Sequence, residues 1–229
     1  MQQLPLGIRL RTDAGFDNFL AGDNTSVLRT LRSFAVGGDN LTALYLHGGL
    51  GCGRSHLLNA VATTADRNGR LVAVLPLKLA GLSPGVLAGF EQCDVVCVDD
   101  LDAVSADRGW AEALFNLFNA VRDQGGQLLF AADKPPSLLA CCLPDLQSRL
   151  ASTLIFSVQE LSDADKQELL VRRGEECGLR VPVEVAQYLM IRHSRAIGDL
   201  LQLLDRLDHA SLREQRRLTV PFVRQVLGV

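Results

Sequence analysis

The sequence lacks the features that mark membrane and secreted proteins. No apolar run approaches the ~18 residues that a membrane span needs, and no positively charged segment followed by an apolar core opens the chain. The net charge is only −3, so no global basic field draws the protein to nucleic acid or to an anionic membrane, although a local patch is compatible with it. We therefore expect a soluble protein of the cytoplasm without membrane contact.

Cysteines are present but lack the spacing of a metal site. Of the six, Cys141 and Cys142 are adjacent, Cys93 and Cys97 fall in or beside an apolar segment, and the other two stand alone. Small buried thiols in a reducing compartment are the simplest interpretation. No internal repeat is evident, and 229 residues with 48% hydrophobic content are enough for one domain with a full core plus a smaller domain.

A glycine-rich stretch at 47–58 follows a short apolar strand at 43–46 and leads into an amphipathic helix that starts at Ser55. Gly48, Gly53 and Ser55 match the phosphate-loop pattern G-x-x-x-x-G-K-[ST], in which backbone N–H groups at a helix N-terminus bind phosphate. Ser55 is then the expected magnesium ligand. A plain glycine-rich turn is the alternative interpretation.

Arg54 stands where the phosphate-loop pattern has lysine. Arginine keeps the positive charge, but its guanidinium is a planar fork rather than a compact ammonium, so it meets the β- and γ-phosphates differently. We expect this change to impair hydrolysis more than phosphate binding.

Two carboxylates follow a buried-type strand downstream of the loop. The apolar run from Asp94 ends in Asp99 and Asp100, at the carboxyl end of a parallel strand, where ligands bind. Asp99 is the predicted magnesium-side carboxylate, and related ATPases place the residue that orients the attacking water at the position of Asp100. Two aspartates that only cap the next helix are the alternative.

Other segments predict the rest of the architecture. Further strands are predicted at 70–77, 127–133 and 153–157. Helices are predicted after a cap at Asp23 or Asn24, across Val86, Leu87 and Phe90, at 110–121 and 143–150, and then at 164–177, 182–192, 195–210 and from about 220, where Thr219 is the expected cap.

The motifs together resemble the ATPase module of the DnaA family of bacterial replication initiators. The resemblance lies in Phe16-Asp17-Asn18-Phe19 followed by Gly22-Asp23-Asn24, and in the phosphate loop continued through His56, Leu57 and Leu58. It implies an α/β fold of the AAA+ P-loop class: a five-stranded parallel sheet with flanking helices, followed by a small helical lid domain. We predict an extended tail at 1–10, the nucleotide-binding domain at 11–158 and the lid at 159–229.

The resemblance also assigns roles to individual residues. Ser148-Arg149 matches the pair that carries the arginine finger, which inserts into a neighbour's nucleotide site, and Asp133 matches the first sensor. In the lid, the second sensor arginine is replaced by Gly198, and Arg195 is either its substitute or a surface charge. The residues expected to bind ADP or ATP are Phe16, Phe19, Gly48, Gly49, Gly51, Gly53, Arg54, Ser55, His56, Asp133 and Arg195. Ser55 and Asp99 are the expected Mg ligands, and Arg149 and Asp100 the catalytic residues.

The first residues contain a second type of motif. Gln3-Leu4-Pro5-Leu6 resembles the Gln-Leu-x-Leu peptide with which many bacterial proteins bind the replication sliding clamp, and Gln2 offers another register. We expect Gln3, Leu4 and Leu6 to contact the clamp. A tail that merely covers the domain is the alternative.

Initiators carry a further DNA-binding domain after the lid, which is not found in this sequence. Together with the clamp-type peptide, the arginine in the phosphate loop and Leu161-Ser162-Asp163 after the fifth strand, the chain resembles a regulator of DnaA within the same family. Such a regulator binds nucleotide, attaches to the clamp on DNA, contacts DNA only through the clamp, and stimulates hydrolysis of the ATP held by DnaA, which prevents re-initiation. We expect little turnover of its own, and a homo-oligomer is compatible with the sequence. A self-contained ATPase or helicase loader, and a clamp adaptor without nucleotide, are the alternatives.

Overall fold

The computed structural model describes residues 14–38, 40–193 and 196–228. They form two compact units. The first contains the chain up to Gly49 and Gly53–Gln159, and the second contains Leu50–Cys52 and the chain from Glu160 onward.

The first unit is built on a five-stranded parallel sheet, which confirms the predicted fold class. The strands are β1 (Ala43–His47), β2 (Val72–Pro76), β3 (Val95–Asp99), β4 (Gln127–Ala132) and β5 (Leu154–Ser157). Their spatial order is β2-β3-β4-β1-β5, so the chain crosses the sheet several times. Every residue of β3 and β4 is buried, because helices cover both faces of the central strands.

Four helices flank the sheet: α1 (Thr25–Ala35), α2 (Arg54–Arg67), α3 (Arg108–Asp123) and α4 (Pro144–Ala151). In α1 the buried residues Val27, Leu31 and Phe34 recur at helical spacing, so one face packs inward. The side chain of Asn24, one of the two predicted caps, forms no capping hydrogen bond with α1. Its side chain accepts from the Gln159 N–H at 2.8 Å and donates to the Gln159 carbonyl at 3.0 Å, which joins the start of α1 to the residues after β5.

The helix predicted across Val86, Leu87 and Phe90 is two separate 3-10 turns, Pro84–Leu87 and Phe90–Gln92. Gly89 lies between them with φ +94°, in the left-handed region, which interrupts a continuous helix. Four more 3-10 turns occur at Phe16–Asn18, Gly22–Asn24, Leu101–Ala103 and Pro136–Leu138.

The second unit is helical and has its own core, as predicted for the lid. Its helices are α5 (Asp163–Glu176), α6 (Val183–Arg192), α7 (Ile197–Glu214) and α8 (Val220–Leu227). The side chains of Ser162 and Asp165 form a capping box at α5, and Thr219 caps α8 as predicted, accepting from the Phe222 N–H. Apolar residues of all four helices form one buried cluster, which includes the fully buried Phe222. None of the helices in the described part of the chain is long and apolar enough to span a bilayer.

Candidate functional site

The glycine-rich loop joins the end of β1 at His47 to the start of α2 at Arg54. Gly51 and Gly53 have φ +82° and +99°, angles that favour glycine. A Cβ added to Gly53 would lie 2.6 Å from the Phe19 ring, so this position lacks the space for a side chain as well. No side chain caps α2, and the first turn of a helix carries partial positive charge that attracts an anion.

Ser55, in the first turn of α2, and Asp99, the last residue of β3, are brought together. The Ser55 hydroxyl lies beside the Asp99 carboxylate, which accepts a hydrogen bond from the Asp100 N–H at 2.9 Å. Burial raises the pKa of Asp99, and these contacts partly oppose that rise. Mg²⁺ prefers oxygen ligands and is commonly bound by one or two protein groups together with substrate phosphates. The hydroxyl and carboxylate fit this role, and no all-protein metal cluster occurs among the described residues.

Arg54 is buried and forms an ion pair with Asp133, the residue directly after β4. The hydrogen bond from the guanidinium lowers the pKa of Asp133. A second contact orients the same residue, because the Asp133 N–H donates to the Asp102 carboxylate at 3.0 Å. The predicted sensor therefore meets the predicted phosphate-binding arginine directly.

Asp100 adopts φ +56° and forms a 2.7 Å salt bridge with Lys78. Its hydrogen bond raises the pKa of Lys78. Lys78 is absent from the sequence-based predictions, although it comes two residues after β2, which neighbours β3 in the sheet. The signal in the sequence that could have identified Lys78 was its position shortly after a parallel strand. Asp100 is thus held by a cation.

The aromatic segment lies against the loop and α2. The Phe19 ring is 5.5 Å from the His56 ring, centroid to centroid, and His56 Nε2 is 2.9 Å from the Gly15 carbonyl oxygen. Phe16 is buried, with the Arg32 guanidinium 5.3 Å from its ring centroid. Phe19 and His56 are therefore the members of the predicted nucleotide set that contact each other beside Gly53.

Arg149 lies elsewhere in the first unit, near the end of α4. It lines a surface pocket with Phe115, Asp145, Ser148 and Ser152. No salt bridge to Arg149 is formed within the described part of the chain. Its charge is therefore available to an external group.

Four predicted site residues, Gln3, Leu4, Leu6 and Arg195, lie outside the described residues. Gly198 is exposed in the first turn of α7, and a Cβ added there would meet nothing within 4 Å. Packing therefore does not explain glycine at this position.

The fold and the site define a P-loop nucleotide-binding module of the AAA+ class, consisting of a parallel α/β unit and a helical lid. Residues 163–227 match the family model "Hda, lid domain", and residues 87–157 match that of the bacterial DnaA ATPase domain. The chain belongs to the Hda and DnaA family of AAA+ proteins.

Solved structures share this fold. Domain III of DnaA from Thermotoga maritima superposes with a TM-score of 0.82 at 19% identity, covering 96% of this chain and 98% of that one. AMPPCP-bound DnaA from Aquifex aeolicus gives 0.71 at 21% identity, over 91% of this chain and 70% of that one. The Thermotoga maritima RuvB branch migration motor gives 0.71 at 16% identity, over 94% and 71%.

Proposed function

We propose that this protein is a negative regulator of replication initiation that stimulates hydrolysis of the ATP bound by DnaA. It acts with adenine nucleotide and Mg²⁺ in its own site, bound to the sliding clamp on DNA. The observation that carries the proposal is the position of Arg149, a cation in a surface pocket without an ion pair among the described residues, in a chain whose lid matches that of Hda.

Nucleotide binding is supported by the residues of the loop. The uncapped start of α2, the positive φ of Gly53 and the Ser55–Asp99 pair supply the N–H donors and oxygen ligands that a nucleotide with Mg²⁺ needs. A structural relative, DnaA from Aquifex aeolicus, binds AMPPCP.

The ion pair of Arg54 favours ADP over ATP. Asp133 is ionised at neutral pH, since Arg54 lowers its pKa, and Asp99 and Asp100 add carboxylates at the same edge of the sheet. A third phosphate adds negative charge close to these carboxylates and competes with Asp133 for Arg54. A diphosphate carries less negative charge and therefore needs less compensating positive charge from Arg54.

The same contacts account for little turnover by the protein itself. Asp100, expected to orient water, is held by Lys78, and Arg54 is held by Asp133. Each group is engaged by a partner of opposite charge, and that partner competes with any contact to a triphosphate.

Stimulation of DnaA requires Arg149 to act in trans. A guanidinium donates two parallel hydrogen bonds to phosphate oxygens, and arginine fingers supplied in trans accelerate hydrolysis by ~10³–10⁵. The adjoining Phe115 gives the pocket an apolar wall, which reduces solvent screening once a partner covers it.

Attachment to the clamp is assigned to Gln3, Leu4 and Leu6. The support is the Gln-Leu-x-Leu pattern alone. Apolar anchors of this kind gain most when they fill a preformed pocket on a partner.

The test is the rate of ADP formation on DnaA preloaded with ATP, with clamp on DNA. Arg149→Ala should abolish the stimulation, and Arg149→Lys should also be severely impaired because the charge remains but the fork is lost. Arg67→Ala is the matched control, since Arg67 is an exposed arginine in the last turn of α2.

Full stimulation by Arg149→Ala would exclude the trans mechanism and favour the adaptor. Steady ATP turnover without DnaA would favour a self-contained ATPase. Calorimetric titration with ADP and ATP separates the adaptor, which binds no nucleotide, from the proposed regulator and from the self-contained ATPase.

A further inference from the structure

Two adjacent cysteines precede α4 in the first unit. The sequence predicts small buried thiols, but Cys142 is exposed and Cys141 is only partly buried. Burial raises the pKa of the Cys141 thiol, so this sulfur stays protonated at neutral pH. The Arg108 guanidinium lies close enough to Cys142 for their charges to interact. Because exposed cysteines with a positively charged neighbour are the ones that react, Cys142 is the thiol that an oxidant attacks first.

Cys141 contacts the first turn of α4. Its thiol donates to the Leu143 carbonyl, with 3.3 Å between the sulfur and the oxygen, and the same sulfur lies beside the Gln147 N–H. Leu143 is the N-cap residue of α4, and a leucine side chain has no atom that accepts a hydrogen bond. The helix has only eight residues, so each contact in its first turn matters to its stability. Moving the Cys141 sulfur away therefore weakens the start of α4.

The adjacency of the two cysteines favours a disulfide that opens again. Neighbouring thiols react at a high effective concentration, since neither has to diffuse to the other. The Cα atoms of adjacent residues are about 3.8 Å apart, below the ~4.4–6.8 Å usual for disulfides, so a bond between these two is strained. Strained and exposed disulfides are easily reduced. The pair is therefore suited to reversible oxidation rather than to a permanent cross-link.

We propose that Cys141 and Cys142 are a redox modification site, at which hydrogen peroxide closes a disulfide that releases the first turn of α4. The Cys142 sulfur attacks one peroxide oxygen, the O–O bond breaks, and a sulfenic acid and one water form. The Cys141 sulfur then attacks the Cys142 sulfur, the S–S bond forms and the S–O bond breaks, and the hydroxyl leaves with the Cys141 proton as a second water. The two thiols lose two electrons, which the peroxide gains. An effect on Arg149, in the last turn of the same helix, rests in addition on the proposed function.

The experiment treats the full chain with hydrogen peroxide in the presence of dimedone, which traps sulfenic acids, and reads each cysteine by peptide mass spectrometry. The peptide that contains Cys141 and Cys142 should lose two hydrogens and regain them with dithiothreitol. Cys177 is the matched control, because it is the other exposed cysteine and also lies near an arginine, Arg173, but has no adjacent thiol. It should give the dimedone adduct. Cys141→Ser should convert Cys142 to the same adduct, and Cys142→Ser should leave Cys141 unreacted.

Thermal melting measures the release of α4. Oxidised wild-type protein should melt about 2–4 °C lower than reduced protein, the shift expected for the loss of one hydrogen bond, and oxidised Cys142→Ser should melt as its reduced form does. A dimedone adduct on Cys142 of the wild type, or a dimer linked through it, in place of the loss of two hydrogens overturns the modification site. An unchanged melting temperature after the disulfide has formed overturns the release of α4. Neither readout contains DnaA, so failure of the proposed function leaves both results unchanged.

Discussion

The ion pair between Arg54 and Asp133 allows a quantitative test. Asp133→Asn keeps the size of the side chain but removes the charge opposite a guanidinium that is 8% exposed. A hydrogen bond between charged groups contributes ~1.5–3 kcal/mol, and the Asp133 side chain is 45% exposed, so solvent screening reduces the expected loss to about 1–2 kcal/mol. For a chain of this length, that lowers the melting temperature by roughly 2–8 °C.

Nucleotide affinity should move in the opposite direction. In the variant, phosphate no longer competes with Asp133 for Arg54, and the repulsion of a third phosphate is smaller. ATP affinity should rise up to about tenfold, since 1.4 kcal/mol is a factor of ten, and ADP affinity should rise less.

The two measurements are thermal melting without ligand and calorimetric titration with each nucleotide. Asp66→Asn is the control, because it removes an exposed carboxylate of α2. The lowered pKa of Asp133 means that its contribution to stability is present above the unfolded-state pKa of about 4 and is lost as pH falls through the lower folded value. The difference in melting temperature should therefore shrink in acid. An unchanged ratio of ATP to ADP affinity would refute the role of this pair in selecting the nucleotide.

Three further predictions concern Gly53, Asp99 and the N-terminal tail. Gly53→Ala forces a positive φ on alanine and places its Cβ against Phe19, so unfolding should be easier by about 2–4 kcal/mol, and a wild-type melting curve would contradict this. Asp99→Asn should raise the melting temperature at pH 7, because burial raises the pKa of the carboxyl and the ionised form opposes folding. This gain should vanish below pH ~4, while Mg²⁺-dependent nucleotide affinity falls about tenfold in titrations. Replacing Leu4 and Leu6 by alanine should remove ~1.5–3 kcal/mol per fully buried anchor from clamp binding, and unchanged affinity in a pull-down would exclude the tail as the contact.

Much of the fold could be predicted from local pattern. Apolar segments of strand length identified all five strands to within two residues, because buried parallel strands are continuous apolar runs. The loop was predicted from glycine spacing, and Asp99 and Asp100 were predicted at the carboxyl end of a parallel strand, where ligands bind. The helix predicted near Val86 was wrong, because the left-handed Gly89 divides it into two turns.

Tertiary structure alone decided which charges pair. Arg54 and Asp133 are 79 residues apart, and Lys78 and Asp100 are 22 apart. Each pair forms because its two elements are placed together at one edge of the sheet in the order β2-β3-β4-β1-β5. Periodicity reports which side of an element faces the core, but it contains no information on which element lies beside it. Local sequence therefore determined the glycine-rich loop and the carboxylates that follow the strands. The strand order determined which partner each charged side chain pairs with.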